Sequence, residues 1–130
     1  IDRALKIHHW QRQELLAGLS TLDPEILQME RPGQRWTILG IAKHVANAEL
    51  WYLQRLDLTD LRYKDLLPEP EDRLAQTKVL IDQIFPTFPD VVNVVGIEGE
   101  FWSYRKILRR TLWHQRDHIE HIKELAFNQS

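Results

Sequence analysis

The chain contains no cysteine. That absence removes a disulfide scaffold, a thiolate metal site and a cysteine nucleophile together, and it fits a reducing compartment. Glycine and proline are scarce, at five and six of 130 residues, and they cluster between segments. No low-complexity tract or long repeat occurs. No run approaches the roughly 18 apolar residues of a membrane span, and no signal-peptide pattern opens the sequence. An excess of basic charge is missing too. The formal charge is −2, against the basic balance usual for nucleic-acid binders. The expectation is a soluble, cytoplasmic chain that engages neither nucleic acid nor membrane.

What is present is apolar surface in helical rhythm. Hydrophobic residues make up 43% of the chain, enough for the core of one domain over residues 1–130. Four segments read as helices. The first covers about Asp2 to Leu19, with Leu5, Leu15, Leu16 and Leu19 as its apolar stripe. The second starts from the N-cap type Thr37 and runs to about Leu58, and the third covers about Glu71 to Phe85, stopped by Pro86. The fourth starts at Ser103 and runs to about Phe127. The connection after the first helix has room for one helical turn after Asp23-Pro24, and the connection over 86–102 has an extended piece at Val91 to Val95. Long connections of this kind are often functional. The pattern predicts an all-α protein, a four-helix bundle with long crossover connections.

Histidine is concentrated in the fourth helix, in "WHQRDHIEHI". Positions four apart on a helix differ by about 40° in direction and about 6 Å in height. His114 and His118 can therefore grip one ion, and His121, three beyond His118, leaves a second pairing open. On a helical wheel Ile107, Leu108, Leu112, Ile119, Ile122 and Leu125 mark the core side. His118 lies about 50° from its centre, with His114 and His121 farther out at roughly 90° and 110°. A zinc-protease helix would need H-E-x-x-H, and here Gln115 follows His114, so that reading fails. A carboxylate di-iron bundle needs Glu-x-x-His, which the chain lacks. His8 and His9 face different directions on the first helix, at heights that suit the site poorly.

The second and fourth helices open alike, with "RWTIL" and "FWSYR". Each places a Trp before a Thr or Ser cap, as a hydrophobic staple does. His44 lies about 10 Å past the start of the second helix, and His118 about 14 Å before the end of the fourth. If those helices run antiparallel, the two rings meet at similar heights.

Taken together, "RWTILGIAKHVANAELWYL" and "EFWSYRKILRRTLWHQRDHIEHI" make the chain resemble the DinB/YfiT-like superfamily across nearly its whole length. The resemblance rests on the Trp-Ser/Thr entry, the histidine seven residues into the second helix and the H-x-x-x-H of the fourth. It implies a divalent metal held by His44, His114 and His118. Glu49 lies about 140° around the helix from His44, too far to share the ion, and is expected to be an outer partner of the ligands. Three imidazoles suit zinc, nickel or iron and leave open positions, the pattern of a catalytic site. The resemblance further implies a metal-dependent thiol S-transferase acting on small electrophiles, with a small-molecule thiol as cosubstrate. The alternatives are a non-catalytic metal-binding or stress-associated interaction protein and a metal-assisted hydrolase. Arg105, Arg109, Arg110 and Arg116 surround Trp113 on the outer side of the fourth helix. That ring is expected to pack beneath the 86–102 connection or in a homodimer contact.

Overall fold

A computed structural model describes residues 1–127. The protein is predominantly helical, in the all-α class. Its helices are α1 (Asp2–Ser20), α2 (Pro24–Gln28), α3 (Ile38–Arg55), α4 (Pro70–Ile84) and α5 (Tyr104–Phe127). Turns of 3-10 helix occur at Tyr63–Asp65 and Phe85–Asp90, and strands β1 (Val95–Ile97) and β2 (Glu100–Trp102) form an antiparallel pair.

The helix starts follow from their caps. Thr37 accepts a hydrogen bond from the Gly40 amide at 3.1 Å, and Ser103 accepts one from the Lys106 amide at 3.3 Å, so each satisfies an amide the helix itself cannot. Asp23-Pro24 begins the short α2, with proline where its missing N–H costs nothing. The extended piece in the 86–102 connection falls later than expected. Val91 to Val94 lie outside any strand, and pairing begins at Val95. Two residues join the strands, Glu98 and Gly99, with φ of 49° and 83°. A tight hairpin with the native twist demands positive φ at both positions, which glycine meets freely and glutamate does not.

Packing fixes the directions of the long helices. Glu49 of α3 meets Thr77 of α4, Asn47 meets Arg73, and Leu53 shares a cluster with Ile81. These pairs ascend together, so α3 and α4 are parallel. Against α5 the order reverses. Gln34, just before α3, bonds His121, while Trp51 and Tyr52 near its end pack on Trp102 before α5. The parallel step lies between α3 and α4, and residues 56–69 carry the chain back. Neither of the two long connections singled out in the sequence makes that return. Arg73 anchors it, donating to the Leu67 carbonyl at 2.9 Å.

The core has two lobes. One gathers Leu15, Leu19, Ile38, Ile41, Val45, Leu74, Ile119 and Ile122; the other gathers Leu53, Ile81, Phe85, Phe88, Trp102 and Ile107. Between them the interior turns polar, because His8, Arg12, Glu49, Thr77, Thr111 and Gln115 are all buried. The core side of α5 points as its apolar residues predict. Its midline, however, carries Thr111 and Gln115, while Leu108 and Leu112 are only half-buried. Among the described residues no helix is long and apolar enough to cross a membrane.

Candidate metal centre

Antiparallel packing brings one histidine of α3 against two of α5. His44, His114 and His118 each offer a ring nitrogen, and these atoms lie within 4.8 Å of one another. The His44 and His114 Nε2 atoms are 3.1 Å apart, and the ring centroids of all three pairs lie between 4.4 and 5.0 Å. The heights match as the antiparallel arrangement requires. Spacing on α5 allowed His121 in place of His114, and the structure separates them. His121 turns to Gln34 at 2.9 Å, outside the group.

The donor set fits a small divalent ion. Two nitrogens bound to one tetrahedral zinc lie about 3.3 Å apart, close to the His44–His114 separation. Coordination needs neutral imidazole, and the site favours that form. Burial, then the charges of His118 and His44, hold His114 down at about 4. Burial and the Arg35 charge lower His44. Burial followed by the His44 charge lowers His118. At neutral pH all three rings keep a lone pair. Nδ1 of His118 is buried with no hydrogen-bond partner among the described residues. The facing Nε2 atoms of His44 and His114 share one proton as donor and acceptor, or in the other tautomer both turn lone pairs toward an ion between them.

The two tryptophans that open α3 and α5 frame this group. Trp36 stacks on His44 with centroids 4.4 Å apart and planes 23° from parallel. A staple places that ring against the apolar residues of the first turns; Trp36 packs on the cluster that contains Ile41 and covers the histidine as well. Trp102 is 2% exposed and packs on Trp51 and Tyr52 at 5.4 and 5.9 Å. The Trp51 and Tyr52 rings in turn wall a cleft of about 320 Å³ beside His44 and His114, with Asn47, Ala48 and Tyr63 completing it. The cluster is half-buried and reachable from solvent on this side.

Glu49 plays a different part from the one expected. Its carboxylate bonds His8 at 2.6 Å, Thr77 at 2.7 Å and Arg12, and it touches none of the three clustered rings by hydrogen bond. It reaches His114 through charge alone. Burial pushes its pKa up, but the charges of Arg12 and His8 and the hydrogen bonds from His8 and Thr77 together outweigh that and hold the carboxyl at about 2. Arg12 completes the cluster, donating to Gln115 at 2.7 Å and to the Leu74 carbonyl at 2.6 Å. His8 thus serves the interior, as the position of Glu49 now explains, and His9 is exposed. Sequence reasoning missed this network, although an arginine among the leucines of α1 and a glutamate on the apolar face of α3 were its signal.

Trp113 is 61% exposed, so it does not pack beneath the 86–102 connection. Arg105, Arg109, Arg110 and Arg116 are likewise exposed.

Comparison with known proteins returns no matching family model, no matching curated protein and no matching solved structure.

Proposed function

We propose that the protein is a divalent-metal-binding four-helix bundle of the DinB/YfiT-like kind, with His44, His114 and His118 as ligands. The observation that carries this reading is the convergence of three neutral imidazoles on one point beside an open cleft. A structural zinc site is closed by four protein ligands, whereas a catalytic one keeps a position free. Three ligands and a cleft support the second kind. When bound, the ion supplies Lewis acidity, which lowers the pKa of a coordinated thiol or water. The chain's own residues orient the site. Trp36 fixes the His44 ring, and Trp51, Tyr52 and Tyr63 line the open cleft that leads to it. The activity we assign is transfer of a small-molecule thiol to a small electrophile.

Elemental analysis of the purified protein, beside single alanine variants of His44, His114, His118 and His121, tests the site. The expected result is near-stoichiometric metal in the parent and the His121 variant, and loss in the other three. A parent protein that takes up no supplied zinc, nickel or iron would end this reading. Mass analysis of products from small electrophiles, with and without added thiol, then tests the reaction. A thioether product supports transfer; product formed equally without thiol points to metal-assisted hydrolysis. The exposure of Trp113 among arginines supports a second reading, a metal-binding interaction protein with a homodimer contact at that ring. Sedimentation of the parent and Trp113→Ala forms tests it.

A further inference from the structure

The cleft beside the histidines has a chemical character of its own. None of its lining residues is Lys, Arg, Asp or Glu. Trp51, Tyr52 and Tyr63 give it aromatic walls, and a phenol is uncharged at neutral pH. In the metal-free protein a charged ligand entering such a cleft would lose hydration and find no ion-pair partner among the lining residues. A cation faces a further obstacle, because the Arg55 guanidinium sits 3.8 Å from the Trp51 ring centre; it takes one face of that ring and leaves the opposite face and the edge to a ligand. The volume of about 320 Å³ is at the lower end of the roughly 300–1,000 Å³ of small-molecule sites.

One polar group in the lining is oriented. Asn47 accepts a hydrogen bond from Arg73 Nη1 at 2.7 Å through its Oδ1. A guanidinium only donates, so the oxygen of the amide must face Arg73, and its NH2 faces the other way. The side chain is half-buried and lines the cleft. Arg73 is itself buried and held by the Leu67 carbonyl, which makes this orientation fixed. The cleft therefore offers flat apolar faces and a donor for one acceptor atom.

We infer that the cleft binds a neutral, planar, aromatic or conjugated carbonyl compound, packed against the Trp51 and Tyr63 rings on the side of Trp51 that Arg55 leaves uncovered, with its oxygen accepting from Asn47 Nδ2. This rests on the metal reading only for what happens to the ligand afterwards, not for its binding. The occupant belongs to the electrophile class, since a conjugated carbonyl is a natural acceptor for a thiolate.

Titration calorimetry with 2-acetylnaphthalene, on protein with and without supplied zinc, tests the inference. The probe binds one per chain in both forms. Trp51→Leu keeps apolar bulk but removes the π-face, and weakens binding about tenfold. Asn47→Asp keeps an acceptor for Arg73 and removes the donor. It weakens 2-acetylnaphthalene about fivefold and leaves 2-ethylnaphthalene, which has no acceptor, unchanged. His118→Ala, which lies outside the lining, retains the probe while losing metal. Failure of the probe to bind, equal affinity in the Trp51 variant, equal losses for both naphthalenes in the Asn47 variant, or tighter binding of 2-naphthalenesulfonate to metal-free protein would each overturn it. Should metal fail to bind while the probe binds and depends on Trp51, the metal-centre reading falls and this one stands.

Discussion

Two polar clusters meet α3 about 140° apart around its axis, one at Glu49 and one at His44. The Glu49 cluster is buried and almost saturated. Arg12 from α1, Thr77 from α4 and Gln115 from α5 all bond within it, and one side-chain atom, His8 Nδ1, is left over. The His44 cluster is half-buried, joins only α3 and α5, and holds one hydrogen bond among three rings. A buried charge is tolerable only when its partners are complete, so the first cluster is built to stay as it is. The second keeps lone pairs unshared beside open space, and that incompleteness is what a ligand site requires. Completeness of hydrogen bonding separates architecture from function here more clearly than residue type, since both clusters contain histidine.

The largest effects should come from breaking the saturated side. Glu49→Ala leaves Arg12 charged and buried without its carboxylate, a change worth about 3–5 kcal/mol. His118→Ala in metal-free protein removes a half-buried ring from an unsaturated group and should cost about 1 kcal/mol or less. Urea denaturation of both variants measures the difference. A His118 variant as unstable as the Glu49 variant would mean that the two clusters are not distinct in kind.

Metal affinity should divide the clusters the other way. Loss of any one of His44, His114 or His118 should weaken zinc binding by more than about 100-fold, because even the outer partners of metal ligands are worth 10–100-fold. Gln115→Ala, which disturbs Arg12, should change zinc affinity far less than it changes stability. Competition with a chelating dye reads both. Comparable affinity losses for Gln115→Ala and His114→Ala would place the saturated cluster inside the site.

Acid should then resolve the clusters by pH. The His114 imidazole is held at about 4, below the usual 6.5, so the unfolded chain takes up its proton first. Stability of the metal-free protein is therefore full above about pH 6.5 and declines as pH falls toward 4. Glu49, held at about 2 against 4.5, favours the folded state as a carboxylate. Its contribution is full above pH 4.5 and is lost as pH falls toward 2. Denaturation followed across these two windows should show the upper decline weakened in His114→Ala and the lower one retained. An upper decline unchanged in that variant would assign it to another group.

Much of this was legible in the sequence for a physical reason: periodicity and caps act locally. Thr37 and Ser103 start their helices through bonds from amides three residues on, and nothing distant is needed to anticipate them. The meeting of His44 with His114 and His118 was foreseeable once helix direction was assumed, because rise per residue converts sequence position into height. What could not be read was the pairing of buried polar residues. Arg12 and Gln115 are 103 positions apart, and each alone resembles an ordinary surface residue of an amphipathic helix. Glu49 was visible on an apolar face, yet its partners were not, so it was assigned to the histidines instead. The hairpin was obscured because glutamate at positive φ is uncommon, and Glu98-Gly99 carries only half of the usual turn signal.

The smallest predicted effect probes how firmly the open cluster is held. A Cβ added at Gly40 would lie 2.9 Å from the Trp36 Cβ, so alanine there must push the tryptophan outward. In an isolated helix the same change would favour helix by up to about 1 kcal/mol, and crowding of a packed ring costs about 1–3 kcal/mol. The two nearly cancel in overall stability, which makes zinc affinity the sensitive readout. If the Trp36 stack orients His44, Gly40→Ala should weaken zinc severalfold while the melting temperature moves by only about 5 °C. Unchanged zinc affinity with an altered Trp36 fluorescence would show that the His44 ring is oriented by its neighbours on α5, not by the tryptophan at the start of its own helix.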